Sequence, residues 1–464
     1  MTVVLAVDLG ASSVRVCRVD LDVTPPTVEV VHRYGHGPVR WSDGSLRWDW
    51  ARLVAEVEQG LAAGVERGPV ASIGVDGWGV DYGLLDAGGR LLAPPYSYRD
   101  DRTAAWQDVA DRIGRDVLYR TTGIQAMGIN TVFQLAAHPP EELRHAARLL
   151  MIPELMVHAL AGAAAGSLGK ARSLGKARSL GDAGSLGEAT SASTTALVDL
   201  ATGDWSEPLV KSIGVDPAIL PPIGTATTAA GAWRGIPIHL VGGHDTASAI
   251  AALPGPPARG AVFVSTGTWI LVGCERPAPD TSDAAREANF SNERGALGGT
   301  RFLKNINGMW LLDQCRAGWG NPSVPDLVEA ASASAATGAT FDATDARFLA
   351  PDDMEAEIRA AAGLPSATPP ADVVRCILES LAAAVARVMG ELTALRGEPP
   401  SEVHVLGGAS RIDLLNRLIS ERCGGAPLVI GSGSTEATAL GNALVQGIAI
   451  GRWSDLSQAR AALV

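Results

Sequence analysis

The chain lacks several features that would assign a protein to a class at once. Only 5% of its 464 residues are aromatic, and no two of its five cysteines form a Cys-x-x-Cys pair. No apolar run approaches the ~18–20 residues of a membrane-spanning helix. The odd number and wide spacing of the cysteines argue against a disulfide scaffold and a structural zinc site, and favour reduced thiols. The N-terminus has no basic segment, long apolar core or cleavage site, so we expect a cytoplasmic protein that binds no membrane.

What is present is the composition of a folded protein with a substantial core. Hydrophobic residues make up 47% of the chain and charged residues 19%, which excludes disorder as the main theme. A protein with a net charge of −12 is repelled by the negatively charged phosphates of nucleic acids, so we expect no nucleic-acid partner. At ~150 residues per domain, the length corresponds to about three domains or two large ones.

Strands alternate with helical stretches along the chain, which predicts an α/β architecture. Val3–Asp8, Ser12–Asp20, Val28–Arg33 and Val70–Val75 have the pattern of strands, and Leu53–Gly64 has helical spacing. A strand, a small-residue turn and a second strand recur at Ala261–Gly273, as at the N-terminus. This recurrence predicts a duplicated domain with a boundary near residues 247–260, where prolines follow a helix.

Residues 167–187 repeat the hexad Ser-Leu-Gly-Lys-Ala-Arg with partial copies. A period of six fits neither the 3.6 of a helix nor the 2 of a strand. The Gly-Lys pairs are not phosphate loops, because Ala171 and Ala177 stand where Ser or Thr is required. We expect an exposed, mobile low-complexity loop remote from any active site.

Two hairpin turns have the chemistry of phosphate-binding loops. Asp8 ends the first strand before Gly10 and two serines, and Ser265–Thr268 forms the corresponding turn in the second half. Small residues let backbone N–H groups approach a phosphate, and a carboxylate at the strand end can hold Mg²⁺. A polar hairpin turn without a ligand remains the alternative.

Three further motifs follow predicted strands. His244-Asp245-Thr246 lies between the strand Ile238–Val241 and the helix Thr246–Leu253, which makes Asp245 either a general base or a helix N-cap. The segment Asp76–Asp81 either offers a tryptophan face to a sugar or forms a tight turn around a core tryptophan. Leu406–Ser410 is a glycine-rich turn that could seat an adenosine, as many strand–helix turns do.

Taken in order, these segments resemble the FGGY carbohydrate kinases over almost the whole chain except residues 167–187. The resemblance rests on Asp8–Ser13, Ser72–Tyr82, Tyr98–Thr103, Gly123–Gln125, Ile129–Thr131, His244–Ser248, Ser265–Trp269 and Leu303–Ile306. The Trp-Gly-Val-Asp, Gly-Ile-Gln and His-Asp-Thr-Ala-Ser segments are the most specific. Within the family the match is nearest the kinases of L-rhamnulose.

The resemblance implies two actin-like, ribonuclease-H-like domains with the active site in the interdomain cleft. An N-terminal domain, residues 1–247 with the insertion 167–187, would bind the sugar, and a C-terminal domain, residues 248–464, would bind the nucleotide. The implied reaction is phosphoryl transfer from ATP to a ketose, giving L-rhamnulose 1-phosphate from L-rhamnulose with Mg²⁺ as cofactor. The expected partners are the sugar and ATP alone, in a monomer or homodimer.

The resemblance also implies residue roles. Asp245 would accept the sugar hydroxyl's proton, and Asp8 with Asp245 would place Mg²⁺. The sugar contacts would be Gly79, His244, Asp245 and Thr246. The ATP contacts would be Ala11, Ser12, Ser13, Val14, Arg15, Thr268, Asn305, Asp313 and Gly408.

The sequence departs from the family pattern mainly on the nucleotide side. Val14 stands where glycine is usual, Asp313 where glutamine is expected, and Ala409 and Ile412 where glycine and asparagine are expected. These departures bear on nucleotide affinity and base preference. Two alternatives stay open: a kinase of L-fuculose, xylulose or a related ketose, and a non-catalytic actin-like ATP-binding regulator. The joint presence of Asp8 and Asp245 counts against the regulator.

Overall fold

The computed structural model describes residues 2–163, 185–255, 261–335, 338–425, 427–431 and 434–463. Contacts divide the chain into two compact units. Unit 1 consists of Met1–Pro256, Arg276–Phe302 and Glu436–Val464, and unit 2 of Pro257–Glu275 and Leu303–Thr435. Unit 1 therefore includes the C-terminal segment of the chain. The boundary between residues 247 and 248 stays a prediction.

The strands and helices confirm the predicted α/β architecture. The strands are β1 (Val3–Leu9), β2 (Ser13–Asp20), β3 (Thr27–Gly35), β4 (Val39–Arg40), β5 (Leu46–Arg47), β6 (Ser72–Gly77), β7 (Tyr82–Leu85), β8 (Arg148–Met151), β9 (Gly187–Glu188), β10 (Ile223–Gly224), β11 (Ala229–Trp233), β12 (Ile236–His239), β13 (Ala261–Thr266), β14 (Trp269–Arg276), β15 (Ser291–Arg294), β16 (Thr300–Asn307), β17 (Glu402–Leu406) and β18 (Leu428–Val429). The helices are α1 (Trp50–Glu66), α2 (Trp106–Ile113), α3 (Arg115–Thr122), α4 (Thr131–Ala136), α5 (Pro140–His145), α6 (Ile152–Ala163), α7 (Ala189–Ser193), α8 (Glu207–Ser212), α9 (Asp245–Ala251), α10 (Asp283–Glu287), α11 (Trp310–Gly318), α12 (Val324–Ala333), α13 (Met354–Ala362), α14 (Pro370–Arg396), α15 (Asp413–Arg422), α16 (Ala437–Ala449) and α17 (Leu456–Ala461).

A six-stranded sheet in the order β11-β12-β6-β1-β2-β3 forms the centre of unit 1. β1 runs antiparallel to β2 and parallel to β6, and β12 continues the sheet parallel to β6. Every residue of β1 is buried, as expected for a central strand covered on both faces. The carboxyl ends of β1, β6 and β12 therefore meet at one edge, where ligands of α/β proteins bind.

Helix α16 packs against this sheet because small residues allow close approach. A Cβ on Gly74 of β6 would lie 2.4 Å from Asn442 Oδ1, and one on Gly441 would lie 1.7 Å from the Ser248 carbonyl oxygen of α9. These contacts bring the C-terminal segment of the chain against β6 and α9. They place Asn442 beside the carboxyl end of β6.

Unit 2 repeats the strand arrangement of unit 1. The second six-stranded sheet has the order β15-β16-β14-β13-β17-β18, in which β16-β14-β13-β17-β18 corresponds to β3-β2-β1-β6-β12. β13 runs antiparallel to β14 and parallel to β17, and β17 runs parallel to β18. The shared order and directions confirm the predicted duplication at the level of topology.

The end of the hexad repeat differs from the prediction. Residues 167–184 lie outside the described part of the chain, so the exposed loop predicted there stays a prediction. Its last residues do not fit that prediction, since Ser185 is buried and Gly187 belongs to β9, which pairs with β10. Apolar packing and strand pairing after the last leucine outweigh the low-complexity composition. In the described ranges, no helix is long and apolar enough to cross a membrane.

Candidate active site

Three aspartates meet at the carboxyl edge of the unit 1 sheet. Asp8 of β1 and Asp76 of β6 are directly paired in the parallel register. Beyond β12, the Gly243 carbonyl accepts a 2.8 Å hydrogen bond from the Gly77 N–H, and His244 forms a β-bridge with Gly77. Asp245 follows at once, so the sheet brings residues 8, 76 and 245 to one place.

Asp8 is buried and held from one side by Arg15. The Arg15 guanidinium binds Asp8 Oδ2 and lies 2.7 Å from Glu436 Oε2. Burial raises the pKa of Asp8 to about 6; the Asp245 and Glu436 carboxylates add to the rise, and Arg15 opposes it. Arg15 was expected to contact ATP, and the structure places its guanidinium between these two carboxylates.

Asp76 is fully buried beside Asp8. Burial, followed by the Asp8 charge, raises its pKa well above the ordinary value. The Asn442 amide donates a 2.5 Å hydrogen bond to Asp76 Oδ2, and Gln446 Nε2 in turn donates to Asn442 Oδ1 at 2.7 Å. The sequence-based assignment gave Asp76 no metal or catalytic role. Its position at a buried strand end was the only indication.

The remaining oxygens of the buried pair fit a cation. Among the described residues no hydrogen-bond donor reaches Asp8 Oδ1 or Asp76 Oδ1. Within those same ranges, no group of three or more His, Cys, Asp or Glu side chains is arranged to hold a metal ion. Mg²⁺ usually keeps several waters and takes only one or two carboxylates. We call Asp8 Oδ1 and Asp76 Oδ1 the open oxygens, because they accept no hydrogen bond from the described residues. Two buried aspartates with open oxygens suit that mode of binding.

Asp245 is the first residue of α9, and its N-cap is His244. In the described chain no side chain caps this helix, so the N-cap interpretation of Asp245 is wrong. Its Oδ1 accepts a 3.1 Å hydrogen bond from the Thr246 hydroxyl. The side chain is 30% exposed, unlike those of Asp8 and Asp76, so its carboxylate can reach a substrate.

The imidazole of His244 lies beside two charged residues that the sequence did not point to, and it forms a hydrogen bond with one of them, Arg301. His244 Nδ1 lies 3.1 Å from Arg301 Nη2 and 3.2 Å from Glu293 Oε2. Glu293 and Arg301 are buried and form an ion pair of 3.0 Å. The other ring nitrogen, Nε2, lies 3.5 Å from Asp245 Oδ1. His244 is thus oriented toward the carboxylate of its neighbour.

Gly79 lies against Thr194, where an added Cβ would come within 3.1 Å of the threonine side chain. The next residue, Val80, has a left-handed backbone with φ +67°, a costly conformation for a β-branched residue. The Val80 N–H donates to Thr194 Oγ1 at 3.2 Å, and its carbonyl accepts from Thr131 Oγ1 at 2.7 Å. These bonds hold the strained turn at Gly79 in place.

Trp78 does not present its face to a ligand. It is buried, and its indole N–H donates to Asp81 Oδ2 at 3.0 Å, where Trp48 also donates at 2.7 Å. The alternative of a turn around a core tryptophan is therefore correct. His36 contacts both rings and lies 2.9 Å from the Gly10 carbonyl through Nε2, which joins the first hairpin turn to this cluster.

Ala11 and Ser12 lie in the turn between β1 and β2 of unit 1, and Ser13, Val14 and Arg15 begin β2. The Gly10 N–H donates to the Ser13 carbonyl at 3.1 Å, and Ser12 is exposed. Val14, where the family usually has glycine, is fully buried. The turn thus offers backbone and hydroxyl groups of residues 11–13 to a ligand.

Unit 2 has the corresponding turn between β13 and β14. Thr268 lies in it, and the Gly407–Gly408 turn follows β17, the parallel neighbour of β13. Thr266 Oγ1 donates to the Leu406 carbonyl at 2.6 Å, and Gly407, with φ +88°, would place a Cβ 2.2 Å from the Thr266 carbonyl oxygen. Only glycine fits at position 407.

The other two nucleotide candidates are also in unit 2. Asn305 lies on β16, and Asp313 lies in the first turn of α11. Asp313 Oδ1 binds Arg316 at 3.0 Å, and burial raises the pKa of Asp313. The Met309 and Trp310 N–H groups donate to the carbonyls of Gly267 and Thr268, which links the start of α11 to the β13–β14 turn.

Comparisons with known proteins identify the family of the chain. The chain is 37% identical to the rhamnulokinase of Klebsiella pneumoniae strain 342, covering 98% of this chain and 91% of the relative. It is 36% identical to the rhamnulokinase of Bacteroides thetaiotaomicron, covering 98% and 92%. The fold matches a solved xylulose kinase of Lactobacillus acidophilus with a TM-score of 0.76 at 16% identity, covering 99% of this chain and 91% of that one.

A glycerol kinase of Plasmodium falciparum solved with ADP has the same fold, with a TM-score of 0.72 at 16% identity, covering 100% of this chain and 92% of that one. Two family models match in succession. Residues 3–250 match the N-terminal domain of the FGGY family of carbohydrate kinases, and residues 262–450 match its C-terminal domain. The chain belongs to the FGGY family of carbohydrate kinases.

Proposed function

We propose that this sugar kinase phosphorylates L-rhamnulose, giving L-rhamnulose 1-phosphate and ADP. The choice of sugar rests on the two relatives named as rhamnulokinases, which match the chain almost from end to end. One structural observation carries the catalytic part. The Asp245 carboxylate is partly exposed, caps no helix and stands at the sheet edge beside two buried aspartates with open oxygens.

Asp245 receives the proton of the sugar hydroxyl as that oxygen attacks the γ-phosphorus. An ordinary carboxylate is a weak base for an alcohol, so its first task is to orient the hydroxyl. His244 and Thr246 flank it and supply polar groups for neighbouring sugar hydroxyls. Gly79 offers a surface without a side chain, on the turn held by Thr194.

Asp8 and Asp76 would hold Mg²⁺, with Asp245 facing it. When bound, Mg²⁺ neutralises charge on the transferring phosphoryl group. Asp8 Oδ2 is bound by Arg15, and Asp76 Oδ2 accepts a hydrogen bond from Asn442. One oxygen of each aspartate is therefore left for the ion or its waters. Asp76 is thus added to the metal residues predicted from the sequence.

ATP would be bound by backbone and hydroxyl groups of residues 11–13, by Thr268 and Asn305, and at the Gly408 turn. Gly408 has no atom within 4 Å of the position of an added Cβ, so a flat base can lie against it. Asp313, in the first turn of α11, forms an ion pair with Arg316 and would lie near the nucleotide. We also propose a cytoplasmic location, which is supported by five cysteines that are all free thiols.

A coupled assay of ADP release with a panel of ketoses tests this proposal. L-rhamnulose should have the highest kcat/KM, followed by L-fuculose and xylulose. A higher value for another ketose would reassign the substrate within the family. ATP turnover of equal rate with and without every sugar would instead support an ATP-binding regulator.

A further inference from the structure

A short segment behind the His244–Asp245 loop contacts it through buried hydrogen bonds. Glu188 ends β9, directly before α7, and is 1% exposed. Its Oε2 accepts from the Gly243 N–H at 2.9 Å and from the Thr190 N–H at 2.8 Å. It also accepts from the Ser191 N–H at 3.1 Å and from the Thr190 hydroxyl. One carboxylate oxygen therefore forms hydrogen bonds with both α7 and the His244–Asp245 loop.

Thr190 extends this contact by one residue. Its hydroxyl has a single hydrogen, which it donates to Glu188. The oxygen is left as an acceptor, and the His244 N–H donates to it at 3.0 Å. Two consecutive N–H groups, of Gly243 and His244, are thereby held immediately before Asp245.

The loop lies directly on these side chains. A Cβ on Gly243 would come within 2.4 Å of Ser191 Oγ and 2.9 Å of Glu188 Oε2. Real Cβ atoms do not approach other atoms that closely, so the close packing of residue 243 on these side chains depends on its being glycine. A shift of Glu188 or Thr190 would therefore be passed to the backbone that carries Asp245.

The same segment holds the other side of the sugar site. Thr194 follows α7, donates from Oγ1 to the Ser191 carbonyl at 2.8 Å and accepts from the Val80 N–H at 3.2 Å. Its side chain also limits the space beside Gly79. The strained φ of Val80 persists because this bond and others hold it.

We propose that Glu188, Thr190 and Thr194 are positioning residues of the kinase, with Glu188 and Thr190 placing Asp245 and Thr194 placing Gly79. They act through backbone N–H groups and do not touch the reacting atoms. The proposal rests on the proposed function in one respect only, that Asp245 accepts the proton. It goes beyond it by naming the buried side chains that set the geometry of that acceptor.

The test compares Thr190→Val and Thr190→Ser with the control Thr195→Val. Thr195 is also fully buried, and its Oγ1 likewise donates once, to the Ala192 carbonyl, and accepts once, from the Leu197 N–H. The two valine variants therefore each lose one donated and one accepted hydrogen bond at a fully buried position. Only those of Thr190 reach the catalytic loop.

We expect kcat to fall ~10–100-fold in Thr190→Val, since a misplaced reacting group costs up to about that much. The KM for ATP should stay unchanged. Thr190→Ser keeps the hydroxyl and should recover most of the activity, and Thr195→Val should keep the kcat of the parent although it loses similar stability. Equal kcat in the two valine variants would overturn the proposal.

Backbone-amide hydrogen exchange at His244 gives a second measurement that does not depend on turnover. Exchange should speed up in Thr190→Val and stay slow in Thr195→Val; unchanged exchange in both would refute the placement even if no ketose were a substrate. Should Thr190→Val fail to fold, Thr190→Ala removes the same hydroxyl and leaves no acceptor for the His244 N–H. Its kcat should fall with the KM for ATP unchanged, and unchanged kcat would again refute the proposal.

Discussion

Asp8→Asn is expected to make the protein more stable and almost inactive. Asp8 is buried with one open oxygen, and its pKa rises from 3.8 to about 6, mainly through burial. That difference corresponds to about 3 kcal/mol of unfavourable free energy when the group is ionised in the folded protein at pH 7. Asparagine removes the charge, while Arg15 keeps its bond to Glu436. We expect the free energy of unfolding to rise by ~1–3 kcal/mol.

The pH dependence has a definite sign. Between about pH 4 and pH 6, folded Asp8 retains a proton that the unfolded chain has lost. The native state then binds more protons, so the contribution of Asp8 to stability falls as the pH rises through this window. Asp8→Asn lacks this decline. Urea unfolding of both proteins at pH 4.5 and pH 7, in EDTA, would measure the difference.

Mg²⁺ should reverse the order of stability. A cation bound to the folded parent offsets the repulsion and adds stability by mass action, whereas Asp8→Asn has lost one of the two open carboxylate oxygens. The melting temperature of the parent should therefore rise with added Mg²⁺ and ADP, and that of Asp8→Asn should rise much less. The kcat of the variant should fall by ~10²-fold or more, as for loss of transition-state charge stabilisation.

Asp81→Asn is the matched control. Asp81 is also fully buried with a pKa raised to about 6, but it accepts hydrogen bonds from Trp48 and Trp78. The Tyr98 N–H and Gln134 also donate to it, so a new amide donor has no acceptor there. We expect Asp81→Asn to lose ~1–3 kcal/mol. An Asp8→Asn protein as destabilised as this control, with the same response to Mg²⁺, would refute the reasoning.

Three further outcomes are expected. Asp245→Asn should keep the fold by circular dichroism and lose ~10²–10⁴ in kcat, the range for a general base; activity within a few-fold of the parent would remove it from that role. Gly407→Ala, with its positive φ and 2.2 Å clash, should lower the melting temperature far more than Gly408→Ala, where a Cβ meets nothing; equal melting temperatures would contradict the contact. Because Ala409 and Ile412 depart from the family pattern, titration should show weak ATP binding or acceptance of GTP, and tight binding restricted to ATP would show that the departures are compensated.

The sequence contained enough to predict the strands and the turns that end them. Val3–Asp8 is an apolar run that ends in aspartate, and Val70–Val75 is followed by Asp76 and Gly77. The structure has strands at Val3–Leu9 and Ser72–Gly77. Burial on both faces requires such runs, so local composition is sufficient there. The second hairpin, which begins at residue 261, could also be predicted from the sequence, because each half of the chain folds around its own hairpin.

The pairing of residues far apart in sequence could not be predicted in this way. Asp76 meets Asn442 across 366 positions, and Arg15 meets Glu436 across 421. Periodicity reports which face of an element is buried and contains no information on which distant side chain will lie opposite. The partner of Asp76 was settled when helix α16 packed on the sheet, whereas Asp8 meets Arg15 across the local β1–β2 hairpin.

The loop that carries Asp245 shows most clearly what the sequence predicts and what depends on the tertiary structure. The sequence by itself determined that Asp245 lies between a strand and a helix, since the apolar run, the glycines and the small helical residues are all local. Only the tertiary structure decided that it caps no helix, that Arg301 forms a hydrogen bond with His244, and that Glu188 and Thr190 hold the backbone before it. The physical reason is that a buried hydrogen bond needs a donor and an acceptor in place together. Their meeting is set by how the strands and helices pack.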